Sequence, residues 1–356
     1  MTPSVGRVST AHTESSAERR PAGAGMSFPV PDDALASRLT ERLALVEERL
    51  RDAVTNSDEL ADETSRHLVN AGGKRLRPLL TLLTAELGDG TRPEVLDAAV
   101  VVELTHLATL YHDDVMDSAP LRRGVTSAHE VWGNSVAILT GDLLFARASV
   151  MVAGLGPEAV RLQAQTFERL CLGQLHETVG PTSEDDPVAH YLQVLSDKTA
   201  SLLATSARFG ARFAGCPSQV VETVARYGEL VGVAFQLADD VIDLSADAAA
   251  TGKTPGTDLR EHVPTLPVLL LRELVARGGA SERDVALLAR LDDDLSSDEA
   301  LAAVVAELRE HDVVARTRAR AQAIAAQAVE ALGALPEGAA RDAMEAFAEA
   351  LVDRAS

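Results

Sequence analysis

Two clusters of one pattern, Asp113-Asp114-Val115-Met116-Asp117 and Asp239-Asp240-Val241-Ile242-Asp243, limit how this chain can fold more than any other feature of its sequence. Each closes an apolar helical stretch, one beginning near Glu94 and the other running through Val231–Ala238. Residues four apart share a helix face, so the first and last aspartates of a cluster point the same way. Three carboxylates at the negative end of a helix repel one another and the helix dipole. The arrangement is costly unless a cation sits on it, and hard oxygen ligands that leave room for phosphate oxygens suit Mg2+. A lone cluster of this kind is as readily a solvated acidic helix end. Two of them, 126 residues apart and both ending apolar helices, predict helices lying side by side with their carboxylates facing across a cavity.

The rest of the chain reads as helix. Apolar residues recur at spacings of three and four from Ala34 to Val54, as Leu39, Leu43, Leu45, Val46 and Leu50. Similar patterns run over 76–88, 93–115, 134–153, 157–179, 187–214, 217–244 and 264–277, then over the Ala-rich stretches 281–292, 297–332 and 337–354. Glycine and proline punctuate between them, and no alternating strand or fixed repeat is visible. With aromatics at only 3%, an Ala/Leu/Val helix bundle is expected. The fold class is all-α, one domain over residues 31–356. Residues 1–30 are rich in Ser, Thr, Ala, Arg and Pro without an apolar run, and read as a disordered extension. Arg and Ser there suit an organellar transit peptide, Glu14 and Glu18 argue against one, and Met26 offers an alternative start.

Composition removes several classes of function. No run of 18 or more apolar residues occurs, so no transmembrane segment is expected. Cys171 and Cys216 make neither a metal-ligand spacing nor a disulfide framework, which fits a reducing cytoplasm, and both read as buried packing residues. A formal net charge of -21 excludes a nucleic-acid partner, which needs a basic footprint. Any anionic substrate must therefore be held in a local cationic pocket, with metal ions supplying part of the charge.

The basic residues for such a pocket are present. Gly72-Gly73-Lys74-Arg75-Leu76-Arg77-Pro78 precedes a helix, where paired glycines allow close backbone approach and Lys74 and Arg77 can hold an anion. Arg122-Arg123-Gly124 follows the first aspartate cluster, Lys198-Thr199 lies in mid-helix, and Lys253 sits in the Gly252–Gly256 loop after the second cluster. Each alone can be a surface cation, and Arg75 reads as one. His106 lies two turns before Asp113 on the same face and is expected to face the cavity.

Taken together, the GGKRLRP segment, both aspartate-rich motifs and the Asp258–Pro267 segment strongly resemble the polyprenyl synthetase family over nearly all of residues 40–350. The resemblance implies an isoprenoid synthase type helix bundle around a deep central cavity, and a homodimer. It implies Asp113, Asp117 and Asp239 as Mg2+ ligands, with three ions per active site, and Asp114, Asp240 and Asp243 as further catalytic members of the motifs. Arg122, Lys198, Thr199, Gln236 and Lys253 are implied on the allylic diphosphate, and Lys74, Arg77, His106 and Arg123 on isopentenyl diphosphate. One departure stands out: His262-Val263 replaces the Gly-Lys that many members carry, which leaves Lys253 a larger share of the diphosphate contact.

The implied reaction joins an allylic diphosphate, such as farnesyl or geranylgeranyl diphosphate, to isopentenyl diphosphate. The diphosphate leaves, an allylic carbocation forms, the second double bond attacks it, and a proton is lost, with released diphosphate as the base. The cavity must be dry, because water would quench the cation. A terpene cyclase is the rival from another class, but it needs no second anion site and prefers an aromatic lining. A non-catalytic partner subunit would not need two complete metal clusters. Small residues at Ala108 and Thr109, behind Asp113, predict a long product of heptaprenyl to decaprenyl length, as for a quinone side chain. Geranylgeranyl or farnesyl diphosphate is the alternative product.

Overall fold

Acidic and hydroxyl side chains start many of the helices. Asp32 accepts a hydrogen bond from Leu35 N at 2.7 Å and opens α1 (Asp33–Ala53), and Asp58 accepts from Ala61 N at 2.9 Å to open α2 (Glu59–Asn70). The computed structural model describes residues 30–245, 255–261 and 263–353. After α2 come α3 (Leu76–Ala85) and α4 (Pro93–Met116), then a two-stranded hairpin of β1 (Leu121–Arg122) and β2 (Val125–Thr126). α5 (Ala128–Trp132), α6 (Asn134–Gly154), α7 (Pro157–Val179) and α8 (Pro187–Leu195) lead to a single π-helical turn, Ser196–Ala200. α9 (Ser201–Phe213) and α10 (Ser218–Ser245) follow, then α11 (Thr257–Arg260), α12 (Leu266–Ala276) and α13 (Glu282–Leu291). α14 (Asp298–Arg309), α15 (Asp312–Ala331) and α16 (Ala339–Asp353) complete the chain.

The all-α expectation is borne out, with four local corrections. α2 escaped the periodicity reading because its apolar residues are few; Leu68 and Val69 bury while its acidic residues face outward. The 297–332 run is two helices, parted where His311 caps α15 by accepting from Val313 N and reaches Asp284 at 3.0 Å. The 187–214 run is interrupted by the π-turn. The hairpin is built from Arg123 and Gly124, both at positive φ (54° and 79°), the two-residue turn whose twist suits paired strands.

α4 is the central element. From Val95 to Tyr111 it is buried on nearly every side, among one large apolar cluster supplied mainly by α1, α3, α6, α9 and the first half of α10. α9 sits so close to α3 that a Cβ on Gly210 would lie 2.0 Å from Thr81 O. The second half of α10, with Leu237, Val241 and Leu244, anchors a second apolar cluster shared with α12 to α15. α10 therefore ties both clusters together, and the second aspartate motif lies on the half that enters the second cluster.

Arg75 is not a surface cation. It is 2% exposed and pairs with Glu47 and, at 2.8 Å, with Glu103, so it joins α1 to α4. The reason lies in Glu103, a carboxylate inside an apolar helix, whose burial needs a partner. α6 is, among the described helices, long and apolar enough to cross a membrane by length and composition, although only 33% of its apolar window is buried. Leu139 and Val150 lie exposed on it. α7, which packs on α6, exposes Leu175 and Val179 as well. The two helices leave an uncovered apolar face.

Candidate active site

A cavity of about 940 Å3 opens between the start of α3, the last turns of α4, α7, the π-turn and α10. Asp113 and Asp239, the first aspartates of the two motifs, both line it. Burial pushes the Asp113 carboxyl up to about 6; Lys198 and Arg122 oppose that shift and Asp117 adds to it. Asp117 caps α4, with its N–H 2.8 Å from Asp113 O, and is exposed rather than on the cavity wall. Glu261 of the segment after α11 is raised by burial and then by the charges of Asp117 and Asp258. Asp117, the last aspartate of the first motif, thus lies near Asp258 and Glu261, which follow the second.

The second aspartate of each motif turns away from the cavity. Asp114 is fully buried and receives Arg122 Nε at 2.5 Å. Asp240 is 2% exposed; it accepts from Tyr191 OH at 2.7 Å and from Leu266 N at 3.3 Å. Burial holds the Asp240 carboxyl well above the usual carboxylate range, and those two donors work against the shift. Each second aspartate leaves its helix about 100° round from the aspartate before it and meets these partners instead. Asp114 and Asp240 therefore secure the motif ends to Arg122, α8 and α12, and neither lines the cavity. Asp243 is half-buried beside Asp258, whose N–H lies 3.4 Å from its carboxylate.

Lys74, Arg77, His106, Arg122 and Arg123 all line the cavity, with Glu103 between them. The hairpin delivers the two arginines: Arg123 reaches back to Leu68 O at 3.3 Å and to Gly72 O, and lies 3.7 Å from Glu103. Gly73 has to be glycine here, because its φ is 148° and a Cβ would touch the Arg123 guanidinium at 2.8 Å. Burial and the neighbouring Arg123 lower Arg77 to about 10, with Glu103 opposing, and its Nε is buried without a hydrogen-bond partner. Burial first, then Arg77 and Arg123, hold the His106 imidazole well below 6.5, so the ring is neutral at neutral pH. The set places four cationic side chains and one neutral imidazole on the cavity wall.

Lys198 and Thr199 enter from the π-turn, with Lys198 Nζ paired to Glu177 of α7 and Thr199 Oγ1 3.3 Å from Gln236 on α10. Gln236 also lines the cavity. The remaining wall is apolar, with Phe145 and Phe167 in contact at 4.2 Å between ring centres, joined by Leu170, Leu175 and Phe235. Of the pair behind Asp113, Thr109 lines the cavity. Ala108 is fully buried in the apolar core, on the side where a Cβ on Gly141 of α6 would sit 3.1 Å from its carbonyl oxygen. Cys171, expected in the core, is exposed and lines the cavity; Cys216 is half-buried, and both are free. Lys253 and His262 lie outside the described residues, as does the 1–29 segment.

Sequence reasoning missed Glu103, Gln174 and Glu177. A single glutamate within Val100–Leu107 was a readable signal for Glu103. Gln174, whose Oε1 is buried without a partner at the cavity, and Glu177 carry no signal in α7 that separates them from its surface polar residues.

A divalent ion suits this donor set. Asp113 and Asp239 offer hard oxygens at one end of the cavity, and the raised Asp113 carboxyl is one that a nearby cation would relieve. Among the described residues no three carboxylate, imidazole or thiol groups form a ready-made cage. Mg2+ needs none, since it is usually held by one or two carboxylates, water and substrate phosphates.

Known proteins resemble this chain over nearly its whole length. The polyprenyl synthetase family model matches residues 58–308. The chain is 43% identical over 341 residues to nonaprenyl diphosphate synthase of Mycobacterium tuberculosis, covering 94% of this chain and 99% of that protein. It is 36% identical over 309 residues to heptaprenyl diphosphate synthase component 2 of Geobacillus stearothermophilus, covering 86% and 94%. Its structure is similar to that of a polyprenyl synthase from Caulobacter crescentus complexed with calcium and isoprenyl diphosphate, with a TM-score of 0.82 and 32% identity over 93% of this chain and 99% of the other. On the extent of these matches and the arrangement of both aspartate motifs around one cavity, this chain belongs to the polyprenyl synthetase family.

Proposed function

We propose that the cavity ionises an allylic diphosphate and joins it to isopentenyl diphosphate, building a long all-trans polyprenyl diphosphate. The chain is a prenyltransferase, and its similarity to nonaprenyl and heptaprenyl diphosphate synthases favours long products. One observation carries the reading of the site. Lys74, Arg77, Arg122, Arg123 and Lys198 share one cavity with the first aspartates of both motifs, positive charge suited to the two diphosphates of one reaction.

In this reading Asp113, Asp117 and Asp239 hold Mg2+ with the allylic diphosphate, and Asp243 supports them. Bound Mg2+ supplies positive charge to the departing diphosphate. Lys198, Thr199, Arg122 and Gln236 orient that diphosphate, while Lys74, Arg77, Arg123 and neutral His106 hold isopentenyl diphosphate so that its double bond meets the allylic carbon. The apolar wall around Phe145, Phe167 and Leu170 excludes water from the carbocation. The growing tail passes Thr109.

The enzyme works as a homodimer in the cytoplasm. The uncovered apolar face of α6 and α7 supports a second copy as its cover, and light scattering at micromolar concentration should give twice the chain mass.

Asp113→Asn and Asp239→Asn test the site. With farnesyl and isopentenyl diphosphates and Mg2+, each should lower turnover by about hundredfold or more, with thermal stability unchanged or raised because carboxylate repulsion is relieved. Near-normal chain growth in either variant would overturn the metal assignment.

A further inference from the structure

Lys198 and Thr199 line the cavity from a single π-helical turn, Ser196–Ala200. In that turn Ser201 N–H bonds back to Ser196 O, five residues away, so one extra residue is accommodated and the directions of Lys198 and Thr199 depend on the turn keeping its register. Such turns are rare and need outside support, and they occur frequently at functional sites.

The support is visible on the side of the turn away from the cavity. Arg169 of α7 donates from Nε to Asp197 at 2.7 Å, and to both oxygens of Glu229 on α10 at 3.1 and 2.6 Å. It also reaches Ser196 O at 3.2 Å and Ser196 Oγ at 2.9 Å. Ser196 Oγ in turn donates to Glu229 at 2.5 Å, and Gln193 holds the other Asp197 oxygen at 2.8 Å. Two glycines let the backbone seat deeply. A Cβ on Gly173 of α7 would lie 2.6 Å from Lys198 N, and one on Gly232 of α10 would lie 2.4 Å from Ala200 Cα.

We propose that Arg169 is a positioning residue for the reaction: with Glu229, Asp197 and the Gly173 notch it holds the π-turn in the one register that aims Lys198 and Thr199 at the allylic diphosphate, an inference that rests on Lys198 meeting that diphosphate. Arg169 itself does not line the cavity. Its planar guanidinium spans two acids and a backbone carbonyl at once, which lysine cannot do.

Steady-state kinetics of the full chain with Mg2+, farnesyl diphosphate and isopentenyl diphosphate test this, in Arg169→Gln, Arg169→Lys, Gly173→Ala, Lys198→Ala and the double variant Arg169→Gln/Lys198→Ala. Arg169→Gln should raise KM for farnesyl diphosphate and lower kcat by roughly tenfold each, leaving KM for isopentenyl diphosphate within about twofold. Arg169→Lys should recover part of the loss. Gly173→Ala removes no charge and displaces the turn directly, so it should give the same split even if the glutamine variant folds poorly. In the Lys198→Ala background, Arg169→Gln should cost less than about twofold, because both changes remove one interaction. Multiplying effects in the double variant, or equal rises in both KM values, overturn the proposal. A farnesyl-specific loss in Lys198→Ala that is absent from Arg169→Gln and Gly173→Ala overturns the positioning role alone. No loss in Lys198→Ala overturns the Lys198 assignment and the positioning role with it.

Discussion

Asp114 gives its carboxylate to Arg122, with Oδ1 2.5 Å from Nε, while its neighbour Asp113 faces the cavity. The ion pair runs from the end of α4 to the hairpin that follows it, so the residue after the first cavity aspartate sets where Arg122 stands. Asp240 repeats the arrangement on α10 with Tyr191 and Leu266 N as its partners. The two motifs share one geometry, in which the first aspartate lines the cavity and the second bonds to the structure around it.

Asp114→Asn should therefore act through Arg122. Turnover is expected to fall by roughly tenfold, since the asparagine accepts the hydrogen bond but loses the charge. The Mg2+ concentration for half-maximal activity should stay within about twofold of the parent value. Titrating activity with Mg2+ checks this, and a shift as large as that of Asp113→Asn would count Asp114 among the metal ligands.

The arginines of the GGKRLRP segment should separate sharply. Arg77→Ala and Lys74→Ala should raise KM for isopentenyl diphosphate more than for the allylic substrate, by about tenfold to hundredfold, the worth of a charge-assisted contact of roughly 1.5–3 kcal/mol. Arg77 is one of several cations crowded at one end of the cavity, so its removal should cost no stability. Arg75→Ala should instead destabilise the fold by about 3–5 kcal/mol, because buried Glu103 then keeps only the longer contact to Arg123 at 3.7 Å, and Glu47 only that to Arg51 at 3.8 Å. Denaturant unfolding of the two alanine variants side by side reads the difference; equal losses would contradict it.

His106 should make stability acid-sensitive. Its folded pKa lies well below 6.5 through burial and the charges of Arg77 and Arg123, so the unfolded chain binds the proton first. The contribution is fully present above pH 6.5 and is lost as pH falls from there toward the folded pKa. The limit is about 1.4 kcal/mol per pH unit, and because the ring faces the open cavity, about 1 kcal/mol between pH 6.5 and 5 is expected. His106→Gln should flatten the stability profile by that amount in chemical denaturation at the two pH values. Parallel profiles would mean that the imidazole is not depressed.

Product length should respond to Thr109 more than to Ala108. Thr109→Phe places a ring on the cavity wall and should shorten the chain without stopping the first condensation. Ala108→Phe overpacks a closed core and should cost about 1–3 kcal/mol. Chromatography of products and thermal unfolding of both variants check the pair. A shortened product from Ala108→Phe with unchanged stability would put the tail on the α6 side of α4.

Helix boundaries, the all-α class and the order of the motifs were legible because they follow from local rules. Apolar spacing, Asp and Ser caps and glycine breaks act within a turn or two of the residue that carries them. α2 and the break at His311 were missed where that signal is weak: the apolar stripe of α2 is short, and the Ala-rich run on either side of residue 311 keeps helical spacing through a bend.

The sequence by itself determined which groups are available: two aspartate motifs at helix ends, a glycine-flanked basic segment and a small-residue pair behind Asp113. Only the tertiary structure decided which of them meet. It sent Arg75 into the core and Arg77 to the cavity, turned Asp114 and Asp240 away from their neighbours, put Thr109 on the wall and Ala108 behind it, and broke a helix at Lys198. The physical reason is that adjacent helical residues differ in direction by about 100°. Which direction is the cavity depends on partners far along the chain: Glu47 and Glu103 for Arg75, Tyr191 for Asp240, and Arg169 and Glu229 for the π-turn.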